Sequence, residues 1–168
     1  MFGKDLLLAD VRYSEWATRR LLEAAATLTP AELARDLGHS HRSVIDTLRH
    51  YFVSEEFWVQ CLIANALPPM DEIGDDGPQP QISFADLLKR WPEVWESLER
   101  WMEGLSEADL AEAMPCRLSA TRTRNFPRWE ILRHNVNHAT LHRGQIVSML
   151  RQLGKQPPNV DIIGYYMR

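Results

Sequence analysis

Six histidines stand against two cysteines in this chain of 168 residues, a ratio that directs attention to imidazole chemistry. Three of the six, His134, His138 and His142, follow one another at four-residue steps, which places them on one helix face. At i and i+4, His138 and His142 stand roughly 6 Å apart at Cβ, close enough for two imidazoles to reach one metal ion. His50 lies on an apolar stripe of an earlier helix and could complete a three-histidine facial site if the two helices are neighbours. The competing reading is a set of hydrogen-bonded core histidines, because an isolated H-x-x-x-H arises often by chance. Two adjacent buried imidazoles, however, would each need a polar partner, and one shared divalent ion satisfies both. His39 and His41 stand just before the second long helix and read as solvated or capping residues. Cys61 and Cys116 fit no C-x-x-C spacing, and Cys61, in an apolar helical stretch, reads as a buried structural thiol.

The elements that must position these residues are helical almost throughout. A first helix is predicted over about Asp5 to Leu28, with Leu6, Tyr13, Ala17, Leu21, Ala24 and Leu28 on one face. Thr29-Pro30-Ala31-Glu32 reads as a capping box with proline at the first helical position. The second long helix starts between Ser40 and Ser43 and runs to about Asn65. It carries two apolar stripes, Val44-Leu48-Phe52 and His50-Val53-Phe57-Cys61-Ala64. Ala66 to Ile82 is rich in Pro, Gly and Asp and reads as a long crossover loop. The third helix opens at Ser83 and carries the stripe Phe84, Leu88, Trp91, Trp95, Leu98, Met102, Leu105, with a kink expected near Leu88 from Pro92 and a cap at Gly104. Ser106 begins another short helical turn, and Met114 to Asn125 is extended or irregular. The fourth long helix runs from Phe126 or Pro127 to Leu153, closed by Gly154, and buries Ile131, His134, His138, Leu141, His142, Ile146, Met149 and Leu153. The tail packs, since Ile162, Ile163, Tyr165 and Tyr166 would otherwise be exposed. This pattern is an all-α chain of four long helices in one domain spanning residues 1–168.

Composition narrows the function classes. At 45% hydrophobic and 25% charged, the chain is neither disordered nor a disulfide-stapled mini-protein. A net charge of −4 lacks the basic face that general nucleic-acid binding requires. No segment approaches the roughly 18 apolar residues of a membrane span, and the N-terminal apolar run is too short for a signal peptide. The expectation is a soluble cytoplasmic protein with no nucleic-acid or membrane partner.

His138-Ala139-Thr140-Leu141-His142-Arg143-Gly144-Gln145, preceded by His134-Asn135-Val136-Asn137, resembles the signature helix of the DinB family. Ser43 through His50 to Trp58 resembles that family's first-ligand helix, and Tyr13-Ser14-Glu15-Trp16-Ala17 resembles its opening helix, with Thr18 replacing the usual Asn. Pro157-Pro158-Asn159-Val160-Asp161 is also similar, so the resemblance covers nearly the whole chain. It implies a four-helix bundle with a long crossover loop between helices 2 and 3, often a homodimer. It further implies a divalent metal ion, commonly zinc or nickel, held by His50, His138 and His142. His134 matches a position that is often histidine without being a usual ligand. Characterised relatives include transferases and isomerases that use a low-molecular-weight thiol.

Three neutral imidazoles leave an ion's full charge uncompensated, so it would activate a bound water or a thiol. A zincin helix adds a glutamate base in H-E-x-x-H; here Ala139-Thr140-Leu141 supplies no carboxylate. Thiol transfer to a small electrophilic substrate is therefore easier to build than peptide hydrolysis. A non-catalytic metal-binding or stress-response bundle is the alternative. Asp46, one turn before His50, either orients that imidazole or is a surface acid. Glu55 and Glu56 turn off His50's face and read as solvated or in interhelical ion pairs. Arg143 binds an acidic cosubstrate or, more simply, forms a salt bridge within the bundle or dimer, and Gln145 flanks the ligands.

Overall fold

In a computed structural model, residues 3–66, 80–119 and 121–168 are described. Most of the Ala66–Ile82 segment read as a crossover loop, residues 67–79, lies outside them. The elements in chain order are α1 (Lys4–Ala25), α2 (Pro30–Leu33), α3 (Val44–Ala64), α4 (Phe84–Glu103), α5 (Glu107–Ala111), β1 (Ala113–Ser119), β2 (Arg122–Pro127), α6 (Arg128–Gln152) and α7 (Ile162–Tyr166). The four long helices pack in the cyclic order α1, α6, α3, α4. Helices α3 and α6 are therefore neighbours, the condition that a shared histidine site needed. Among the described residues no helix is long and apolar enough to cross a membrane.

Local signals set the helix ends. Thr29 and Glu32 form the predicted capping box, each satisfying the other's backbone N–H. Ser43 Oγ accepts from the Asp46 N–H at 3.2 Å and opens α3, and Asn65, in the left-handed conformation, closes it. Gly154, with φ of +73°, ends α6 in a Schellman motif: Lys155 N–H donates to Leu150 O and Gly154 N–H to Arg151 O, each at 2.9 Å. Helix α4 runs unbroken through Pro92 and ends on Gly104. The Met114–Asn125 stretch, read as extended or irregular, contributes to the antiparallel pair β1–β2, in which Met114 faces Phe126. Among the described residues, the helical architecture thus carries one small two-stranded ribbon.

The core corrects three of the predicted stripes. Of the face predicted for α1, Tyr13, Ala17, Leu21 and Leu28 are buried and Leu6 is exposed, while the buried surface also takes in the line Leu7, Val11, Ser14, Thr18 and Ala25. An apolar pattern passes over this line because two of its members are hydroxyl residues. On α4, Leu87 rather than Leu88 lines up with Trp91, Val94, Leu98 and Met102. On α6, Leu141 is exposed, and the buried line is Ile131, Leu132, Asn135, Ala139, His142, Arg143, Ile146, Met149 and Leu150. The tail packs through Tyr165, whose ring lies 5.9 Å from Tyr13 and 5.6 Å from Trp16. Tyr13 Oη also donates to Val160 O at 2.9 Å. Ile163 and Tyr166, expected to be covered, are exposed. Cys61 is fully buried, as a structural thiol should be.

Trp91 is the hub of the α3–α4 contact, edge-on to Tyr51 at 4.8 Å and Phe52 at 5.3 Å. Its indole N–H donates to Glu55 Oε2. Glu55 is therefore not solvated but buried in the bundle, whereas Glu56 makes the expected interhelical ion pair, with Arg90 at 2.8 Å. Burial pushes the Glu55 carboxyl up to about 7 against the opposing pull of the Trp91 N–H and the Arg143 charge. A carboxyl raised in the folded state contributes stability that is complete below its ordinary pKa near 4.5 and is lost as pH rises through about 7. Relative to Glu55→Gln, the wild type should lose on the order of 1–3 kcal/mol between pH 5 and 8. Urea denaturation of both proteins across that range measures this; parallel pH profiles would contradict it.

Candidate metal centre

Packing α3 against α6 brings His50, His138 and His142 together. His50 and His142 are buried and His138 is half-buried. The His138 and His142 rings lie 4.3 Å apart, His50 and His142 4.7 Å, and His50 and His138 5.5 Å. The Nε2 atoms of His138 and His142 converge to 3.0 Å. His142 Nδ1 donates to Gln145 Oε1 at 2.8 Å. That bond assigns the His142 proton to Nδ1 and leaves the Nε2 lone pair aimed at His138. Gln145, one turn after His142, thus orients a metal-ligand candidate.

The His138–His142 pair has a spacing that a divalent cation could bridge, while the three-histidine group whose nitrogens all lie within 4.8 Å of one another, among the described residues, is His41, His50 and His142 and does not include His138. Two imidazole nitrogens on a tetrahedral ion with 2.0–2.1 Å bonds stand about 3.3 Å apart, near the separation found here. Burial comes first, and then the neighbouring histidines, in pushing the His138 pKa down to about 3. The imidazole is therefore neutral, the protonation state that a ligand needs.

One residue was missed by the sequence. His41, read as solvated or capping, stacks on His50 with ring centroids 3.9 Å apart and an 18° interplanar angle, and stands 5.5 Å from His142. One nitrogen from each of His41, His50 and His142 lies within 4.8 Å of the other two. The helix cap is Ser43 instead. Helical periodicity carries no information about a loop residue, and the only available signal was local density, with His39 and His41 both within eleven positions of His50.

The remaining predicted residues take distinct places. Asp46 pairs with Arg49 at 2.9 Å and accepts from the Ser43 hydroxyl at 2.6 Å. His134 is exposed on the α6 surface, its ring 5.2 Å from Trp58 and 5.7 Å from His138. Arg143 is 1% exposed, turned away from the histidines into the bundle. Its Nη1 donates to Ser14 Oγ at 2.7 Å and its Nη2 to Thr140 Oγ1 at 2.8 Å. Neutral oxygens, rather than the carboxylate partner of a salt bridge, hold this guanidinium.

A histidine whose folded pKa lies below its ordinary value near 6.5 binds protons more readily in the unfolded chain. Its contribution is complete above pH 6.5 and is lost as pH falls toward 3. Metal-free protein should therefore lose stability steadily from pH 7 to pH 4. Denaturant midpoints should show a shallower decline for His138→Gln.

The chain is similar to the protein named Protein DinB from Bacillus subtilis (strain 168), at 24% identity over 168 residues, covering 97% of this chain and 94% of that protein. Residues 1–167 match the description of the DinB family. With the match spanning the whole bundle and its histidine cluster, the chain belongs to the DinB family.

Proposed function

We propose that this protein is a metal-dependent enzyme of the thiol S-transferase type. In this reading His50, His138 and His142 hold a zinc or nickel ion, and a small electrophilic substrate accepts the sulfur of a low-molecular-weight thiol. The observation that carries the reading is the convergence of the His138 and His142 Nε2 atoms at 3.0 Å, with His50 packed against both rings. A divalent ion bound there would supply Lewis acidity, lowering the pKa of a coordinated thiol or water.

This chain's own residues bias the choice between those two. The turn between His138 and His142 carries Ala139, Thr140 and Leu141, so no carboxylate stands beside the ligands in the position of a hydrolytic base. Glu55, the buried acid of α3, is engaged by Trp91 and belongs to the core. In the transfer, the sulfur attacks the electrophilic carbon and the leaving group departs with the bonding electrons. The thiol proton passes to solvent. Gln145 holds His142 in the tautomer that keeps Nε2 free. In the same reading the protein acts as a homodimer in the cytoplasm.

Tag-free protein should bind about one divalent ion per chain. His142→Ala should abolish that binding, and Gln145→Leu should weaken it by roughly 10- to 100-fold without unfolding the bundle. Incubation with a panel of thiols and monochlorobimane should give turnover that disappears on chelation and returns with metal. Metal binding without metal-dependent turnover for any thiol would identify a non-catalytic metal-binding bundle instead.

A further inference from the structure

We infer that His41 is a fourth ligand of the metal, delivered by the loop ahead of α3. The inference rests on the metal centre proposed above and adds a donor that lies outside both ligand-bearing helices. Its first support is placement. One nitrogen of His41 lies within 4.8 Å of one from His50 and one from His142; its ring rests on His50 at 3.9 Å, so ligation requires the imidazole to turn from this stacking until its in-plane lone pair meets theirs.

The second support is that the loop is built to hold it there. Leu37 N–H donates to Arg42 O at 2.7 Å, and Arg42 N–H donates to His39 O at 2.9 Å. Gly38 and Arg42 both take positive φ, +75° and +62°. A left-handed conformation at arginine is unfavourable for an L residue and persists only where surrounding contacts impose it. The Asp36–Arg42 ion pair at 2.7 Å is one such contact. The loop also meets α6 twice, at Gln145 Nε2 to Ser40 Oγ (3.4 Å) and at Gln152 to His39 Nε2 (3.2 Å). Gln145 therefore touches both the ligand candidate His142 and the residue next to His41, which couples the loop to the α6 side of the centre.

Ligation and mere ring stacking make different demands on residue 41. Phenylalanine preserves an aromatic cover over His50 but has no lone pair, whereas alanine removes both. Cobalt(II) titration of tag-free full-length protein, read by visible absorption and by chelator competition, separates the two. Thermal unfolding of each metal-free variant confirms that it is folded. His41→Phe and His41→Ala should both weaken cobalt binding by at least about tenfold and shift the visible bands relative to wild type. Wild-type affinity and spectrum in His41→Phe would overturn the inference, whatever His41→Ala does. If His138→Ala and His142→Ala lose the ion while His41→Phe does not, the three-histidine centre stands and only the fourth ligand falls. If wild-type protein binds no cobalt, both fall together.

Discussion

A fully buried guanidinium is the constraint on which the arrangement of this bundle depends. The N–H donors of the buried Arg143 guanidinium must find oxygen inside the protein. Ser14 on α1 and Thr140 on α6 itself supply it at 2.7 and 2.8 Å. Thr18 and Tyr51 stand at the margin of the same cluster and are joined to each other at 2.7 Å. Removing such partners would strand a charge, which is far costlier than losing an ordinary hydrogen bond. The rotation of α6 about its axis is thereby set. Successive residues on a helix point about 100° apart, so with Arg143 directed at α1, His142 is directed at α3 and His50.

The polar interior therefore has two compartments served by one helix. On the α1 side, hydroxyls of Ser14, Thr18 and Tyr51 surround Arg143. On the α3 side, imidazoles face one another with Gln145 fixing one tautomer. Tyr51 belongs to both, since its ring also lies 6.0 Å from that of His142. Around them the aromatic packing of Trp91 on Tyr51 and Phe52 excludes water. Burial beside Trp91 raises the Glu55 pKa, and the burial of His138 among the other histidines lowers its own.

The resemblance to the DinB family was legible because it rests on contiguous helical segments. His138, His142 and the Gln145 that follows share one helix, so their mutual spacing was readable once the helix was. The four long helices were equally readable from periodicity and caps, with Ser43, Ser83 and Gly154 marking boundaries. Where the apolar pattern stopped short of the full buried surface, as on α1 with Leu6 taken for Leu7, the part left out contained Ser14 and Thr18. Hydroxyl residues look like surface residues until the buried arginine that needs them is known.

By itself, then, the sequence determined the helices, their ends and the i, i+4 histidine pair, all consequences of interactions between residues a few positions apart. Only the tertiary structure decided that α3 lies against α6, that Glu55 is core while Glu56 is not, and that His41 reaches the imidazole cluster. Each of those depends on contacts between distant segments or on a loop held by non-local bonds. No periodicity along the chain encodes such contacts, because the partner that satisfies or buries the residue is supplied by another part of the fold.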